Sequence, residues 1–129
     1  MRIFKTKWLA RFGRRARIAD RSFREAIERA GRGAIDADLG GGIIKQRVAR
    51  SGQGRSGGYR MLIAYQVGRR AVFLYAFAKS ERENIERDEL LTLREIGATW
   101  LAADSRRIAH AIEEGILQEI TGDNDEEAT

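Results

Sequence analysis

Lys45-Gln46-Arg47-Val48-Ala49-Arg50-Ser51-Gly52-Gln53-Gly54-Arg55-Ser56-Gly57-Gly58-Tyr59-Arg60 is the stretch that decides how this chain is read. Its first part alternates basic and neutral residues, a Gly/Ser/Arg loop follows, and a second alternating run opens at Gly58 or Tyr59. Period-two alternation is the mark of a strand, and two such runs around a glycine-rich loop predict a hairpin. From Leu39 to Ser80 there is no Asp or Glu, whereas Lys45, Arg47, Arg50, Arg55, Arg60, Arg69, Arg70 and Lys79 are all cationic. A hairpin without internal countercharge finds its anions elsewhere.

Working outward, three strands are predicted: roughly Ile43 to Arg50, Gly58 to Val67 and Ala71 to Ala78. The third is apolar on both faces (Val72, Phe73, Leu74, Tyr75, Phe77), as a central, doubly covered strand requires. Gly68-Arg69-Arg70 makes the tight turn that joins it to the second. Tyr59 and Tyr65 alternate with Met61 and Ile63, which points them into the core. Gly40-Gly41-Gly42 lacks the Gly-Lys-Ser/Thr ending of a P-loop and leads into a strand, so it reads as a flexible lead-in within a loop from Asp36 to Gly42.

Toward the N-terminus, Met1 to Lys5 is a candidate short strand. Thr6 is the candidate N-cap of a helix carrying Trp8, Leu9 and Phe12, with Gly13 as its stop signal. A second helix shows Phe23, Ala26, Ile27 and Ala30 on one stripe. Asp20 or Ser22 is its expected cap, Ser22 with Glu25 fits a capping box, and Gly31 and Gly33 end it. Toward the C-terminus, Ser80 to Arg87 is a charged connection. A long helix starts near Asp88, with Leu90, Leu93, Gly97 and Trp100 on one face. Asp104-Ser105 caps a shorter helix, Gly115 stops it, and Ile116 to Ile120 is a candidate strand. The order of elements predicts a small α+β domain over residues 1–120, and residues 121–129 are expected to be an acidic, disordered tail.

Composition narrows the function classes. At 129 residues the chain is long enough for a core, and 43% hydrophobic with 33% charged residues is ordinary for a folded domain. Without cysteine and with one histidine, thiolate chemistry, disulfides and zinc sites fall away, and no cofactor or metal is expected. No apolar run reaches the roughly 20 residues of a membrane span, and no signal peptide is seen, so a cytoplasmic protein without membrane contact is expected. The net charge of +5 is placed unevenly, with a basic body and an acidic end at Asp123-Asn124-Asp125-Glu126-Glu127. Such asymmetry favours a polyanionic partner, nucleic acid first.

Lys45 and Arg47, two apart on one strand, project from one sheet face. Arg60 stands across the loop and Lys79 ends the third strand. Converging cations suit a phosphodiester and its phosphorane, and arginine clamps phosphate oxygens in bidentate fashion. Arg50, Arg55, Arg69 and Arg70 are further candidates for phosphate contact. On pattern alone, binding nucleic acid is favoured over cutting it. His110, on a C-terminal helix, reads as a surface or packing residue.

The runs Lys45-Gln46-Arg47-Val48-Ala49-Arg50 and Gly52-Gln53-Gly54-Arg55-Ser56-Gly57-Gly58-Tyr59-Arg60, with Phe77-Ala78-Lys79-Ser80-Glu81-Arg82, resemble the HigB-like branch of the RelE/ParE toxin superfamily, from Phe4 to about Trp100. The resemblance implies two N-terminal helices packed on a small antiparallel sheet, with C-terminal helices after it. It also implies a toxin of a bacterial type II toxin–antitoxin system that cuts mRNA on the ribosome through 2′-hydroxyl attack, without metal. The implied partners are the ribosome, mRNA and a cognate antitoxin, often a helix-turn-helix protein. Lys45, Arg47, Arg60 and Lys79 match the family's basic positions. Ser80 stands where RelE has a second arginine, no tyrosine follows between Glu81 and Asp88, and the histidine and aspartate of some HigB relatives are unmatched. Lys45 and Glu81 are the remaining candidates for general base. Within the same superfamily, a gyrase poison of ParE type and a non-catalytic remnant that binds RNA or antitoxin are the alternatives.

Overall fold

The computed structural model describes residues 1–50 and 57–121, and the hairpin lies at its centre. β3 (Ile43–Val48) and β4 (Tyr59–Gln66) pair antiparallel, with Lys45 opposite Leu62, Arg47 opposite Arg60 and Val48 opposite Tyr59. β4 pairs in turn with β5 (Arg70–Ala78), across a turn in which Gly68 takes a φ of +71°. With β1 (Arg2–Thr6), β2 (Ala37–Gly40) and β6 (Leu117–Ile120), these form a six-stranded sheet in the order β2-β3-β4-β5-β1-β6.

The sheet is mostly antiparallel, but β1 runs parallel to β5. β1 enters the sheet on the far side of β5 from the hairpin, and the helix pair that follows carries the chain across to β2. β2 itself forms inside the expected loop. Its four residues are too few to show a period, and Gly40, Gly41 and Gly42, at φ of +78°, +62° and +83°, are the turn that folds it onto β3. Arg94 donates from Nε to the Gly40 carbonyl at 3.2 Å and from Nη2 to that of Leu39, so the triple glycine is a hairpin turn braced by a helix.

α1 (Lys7–Arg15) and α2 (Asp20–Gly31) cover one face of the sheet, and α3 (Arg87–Ala102) and α4 (Ser105–Glu113) cover the other. α1 starts where expected, with the Thr6 hydroxyl accepting from the Leu9 N–H at 3.3 Å. It does not stop at Gly13. A Cβ there would lie 3.3 Å from Phe23 Cζ, so this glycine permits close contact between the two helices. The capping box expected at Ser22 and Glu25 does not form either: Ala19 is the N-cap, without a side-chain bond. Glu25 instead pairs with Arg29 at 2.7 Å, and Asp20 with Lys5 at 3.1 Å. A reciprocal capping box does form at the start of α3, between Glu86 and Glu89.

β5 has two cores to serve. Phe73 and Ala76 face the helix pair with Phe23, Met61, Ile63, Tyr59 and Tyr65, while Val72 and Leu74 face α3 and α4 with Leu62, Trp100 and Ile108. A register shift opposite Leu62 and Ile63 makes Leu74 an extra residue, so Leu74 and Tyr75 both turn to the α3 side. Burying a side chain such as Phe73 completely is worth about 1.5–3 kcal/mol, and both faces of one strand draw on this. Among the described residues, no helix is long and apolar enough to cross a membrane.

Candidate functional site

Strand alternation puts Ile44, Gln46 and Val48 against the helix pair and leaves Lys45 and Arg47 on the opposite face, in line with Ile43. β4 places Arg60 on that face, level with Arg47 on one side and Phe77 on the other. The next row along the sheet is Lys45, Leu62 and Tyr75. Cross-strand neighbours have Cβ atoms about 5 Å apart, so Arg47 and Arg60 are close enough for one phosphate to bridge. α3 packs onto this face toward the β4–β5 turn, over Ala64 and Ile43, and leaves Lys45, Arg47 and Arg60 half-buried.

Two arginines held side by side repel, and the surroundings offset this on one side only. The Arg47 N–H donates to Asp36 Oδ2 at 2.7 Å, and its Nη2 reaches Oδ1 at 3.2 Å. Burial alone would raise the Asp36 carboxyl, but these two bonds and the charges of Arg47 and Arg29 outweigh it and hold the group below the usual carboxylate range. Arg29, buried, also donates to the Arg47 carbonyl. Gln46 fixes the register from the other face: it donates to the Ala26 carbonyl at 2.9 Å and accepts from the Asp36 N–H at 2.7 Å. Arg60 has no such arrangement. Its Nη1 is buried and has no hydrogen-bond partner among the described residues.

The glycine before Tyr59 has a steric reason. A Cβ on Gly58 would stand 2.0 Å from the Val48 carbonyl oxygen, so a side chain there forces β4 away from β3 two residues before Arg60.

A further cation joins this face from the connection after β5. Arg82 lies over the Phe77 ring at 5.7 Å and bonds Glu89 with Nη2 at 2.6 Å and the Asn84 carbonyl with Nε at 2.8 Å. The hydrogen bond to Glu89 raises the Arg82 pKa, with a smaller contribution from the Tyr75 hydroxyl beside it, and lowers that of Glu89. Ser80 occupies the position where the resemblance implies a second arginine, and Arg82, two residues on, brings a cation to this face instead. The available clue was the Glu86–Glu89 capping box, which turns Glu89 back toward residues 82–86.

The remaining candidates are dispersed. Lys79 is the first residue past β5 and is exposed, as is Glu81, whose N–H donates to the Ala78 carbonyl at 3.0 Å. Arg50 lies 5.1 Å over the Tyr59 ring, on the helix-pair face, where it lines a small cavity with Arg17 and Arg21. Arg55 and residues 122–129 of the tail fall outside the described residues. Arg69 is in the β4–β5 turn at the other end of the sheet, bonding Gln66 at 3.4 Å. Arg70 is buried and donates to the carbonyls of Trp100 at 2.7 Å and Ala103 at 2.8 Å, so it closes the C-terminus of α3 and offers nothing to a surface phosphate. Burial lowers its pKa, and the charges of Arg69 and Arg2 add to this. His110 is exposed and pairs with Glu114 at 2.9 Å. Among the described residues, no group of three or more His, Cys, Asp or Glu side chains is placed to hold a metal ion.

The fold and the site together define a three-layer α+β domain with a half-open cationic sheet face. The family model described as the RelE toxin of the RelE / RelB toxin-antitoxin system matches residues 1–120, and the chain belongs to that family. Its members are toxins paired with an antitoxin and are generally mRNA-cleaving. A search of curated proteins gave no match.

Proposed function

We propose that the chain is a HigB-like, ribosome-dependent mRNA endoribonuclease that blocks translation and is neutralised in the cytoplasm by a cognate antitoxin of helix-turn-helix type. The observation that carries this reading is the buried Nη1 of Arg60, without a hydrogen-bond partner among the described residues and on one face with Lys45, Arg47 and Arg82. A buried donor without an acceptor costs stability, and a phosphate oxygen is the acceptor that this face lacks.

In the reaction, the ribose 2′-oxygen attacks the adjacent phosphorus. The O2′–P bond forms, the P–O5′ bond breaks, and the products end in a 2′,3′-cyclic phosphate and a 5′-hydroxyl. The 2′-hydroxyl proton goes to a base, with Lys45 on the site face the first choice and Glu81 the second, and the 5′-oxygen takes a proton from water as it leaves. Arg60 and Arg47 bind the two non-bridging oxygens and stabilise the phosphorane, with Arg82 and Lys79 at the margin. The charge comes from side chains, so the scheme invokes no metal.

The test is translation of a defined mRNA in a bacterial cell-free system. Cuts at positions within ribosome-bound codons, with 2′,3′-cyclic phosphate ends and abolished by Arg60→Ala, support the reading. Intact mRNA with normal protein yield would falsify it, and inhibition of gyrase supercoiling would direct attention to DNA topology instead.

A further inference from the structure

β5 runs on past the last residue of β1 that it pairs with, so beyond Phe73 its edge is free of a strand, and α1 lies against it there. The first turn of α1 thereby brings Trp8 onto the Tyr75 ring, at 4.7 Å between centroids and 30° between planes. Trp8 also stacks on Phe12 at 5.5 Å, and Tyr75 is 6.3 Å from Phe77. The aromatic run therefore extends without a break from Phe77, directly across from Arg60, to the outer side of α1. Trp8 remains 43% exposed, and next to it a cavity of about 410 Å³ is walled by Leu93, Ile96, Trp100 and Ile116. Ile96 and Ile116 are themselves 41% and 38% exposed. Leaving this much apolar surface open to water costs free energy, which suits a surface that is covered in use.

Resting on the reading of this face as an RNA site, we propose that Trp8 and Tyr75 form a nucleobase-stacking subsite for the RNA strand whose phosphate lies on Arg47 and Arg60. Three features select this occupant. The groove is continuous with the cationic row through Tyr75 and Phe77. Arg82, over Phe77 and beside the Tyr75 hydroxyl, stands at the junction of the two, its charge shared with Glu89. Lys7 adds a cation at the groove's own rim. An apolar slot with aromatic walls and a basic lip takes a flat base on a charged backbone, and stacking tolerates any base because each has a π-face.

The experiment uses the full chain labelled with 5-fluorotryptophan, whose two tryptophans give two fluorine resonances, assigned with Trp8→Phe. Short single-stranded RNAs with 2′-O-methyl groups serve as probes, because they lack the attacking hydroxyl and stay intact. The Trp8 resonance is expected to shift on saturation, with a smaller shift at the buried Trp100, which walls the same groove. One abasic position in the probe should weaken binding roughly ten-fold and cancel the shift. Trp8→Ala should weaken the parent probe by a similar factor and remove the abasic effect, while Trp8→Phe keeps most of the affinity. RNA that binds without shifting Trp8, equally well with abasic probes, overturns the subsite and leaves the phosphate site standing. A Trp8 shift caused by the antitoxin and never by RNA also overturns it and makes the groove a protein interface. Failure of every RNA to bind, free or on ribosomes, overturns both this proposal and the reading beneath it.

Discussion

Arg60 and Arg70 lie on the same sheet face, at opposite ends of the β4–β5 pair, and their surroundings could hardly differ more. Arg70 is met by carbonyls at the end of α3, at 2.7 and 2.8 Å, while Arg60 has a buried Nη1 with no acceptor among the described residues. Both are arginines beside apolar strand residues. The difference lies in what the described residues deliver: the C-terminus of a helix, with its unpaired carbonyls, at one end, and no acceptor for Nη1 at the other. An arginine that is already satisfied is a structural part. One whose buried donor lacks an acceptor among the described residues is the one that the proposed reaction uses.

Substitutions should separate the two ends cleanly. Arg60→Ala is expected to lower mRNA cleavage about 100- to 1,000-fold, in the range found when a charge-stabilising donor is removed from a reaction site. Its unfolding free energy in urea should stay within about 0.5 kcal/mol of wild type, because a like-charge neighbour and an unsatisfied donor leave together. Arg70→Ala should do the reverse: about 2–4 kcal/mol of stability lost, from orphaned buried carbonyls, with cleavage per folded molecule nearly unchanged. Equal stability loss in both variants would end the comparison. Gly58→Ala tests the approach of β4 to β3 at the Arg60 end. With a Cβ 2.0 Å from the Val48 oxygen, it should cost about 1–3 kcal/mol and also reduce cleavage by shifting Arg60, whereas Gly68→Asn in the opposite turn should be mild.

The smallest effect concerns pH. The folded-state pKa values of Asp36, beside Arg47, and of Glu119, which accepts from Arg2 Nε at 2.8 Å, are depressed, so between those values and the unfolded ones the unfolded chain binds more protons and stability rises with pH. Their contribution is fully present above the ordinary carboxylate range of about 4 and is lost as pH falls through the folded values. Chemical denaturation from pH 7 down to 3 should show this acid limb, and Asp36→Asn should make it shallower. An unchanged limb would mean that Asp36 contributes nothing to holding Arg47.

Much of the fold was legible because its signals are local. Hairpin, central strand, helix stripes and the caps at Thr6 and Asp104 all rest on neighbours within a few residues, and each appears. Errors arose where a local signal was claimed by a distant partner. Glu25 was read as a capping residue and binds Arg29; Gly13 was read as a stop and makes room for Phe23. β2 was missed because four residues carry no period, and the parallel pairing of β1 with β5 is a property of connections, not of composition.

The candidate site divides along the same line. Residue order by itself determined that Lys45 and Arg47 share a face, that Arg60 opens the neighbouring strand, and that no carboxylate accompanies them between Leu39 and Ser80. Only the tertiary structure decided which cations are free. It committed Arg70 to carbonyls about 30 residues away, turned Arg50 to the opposite face, and brought Arg82 and Trp8 to the row beside Phe77. The physical reason is that strand alternation reports the direction of a side chain, whereas its freedom depends on which acceptors the helices deliver through space.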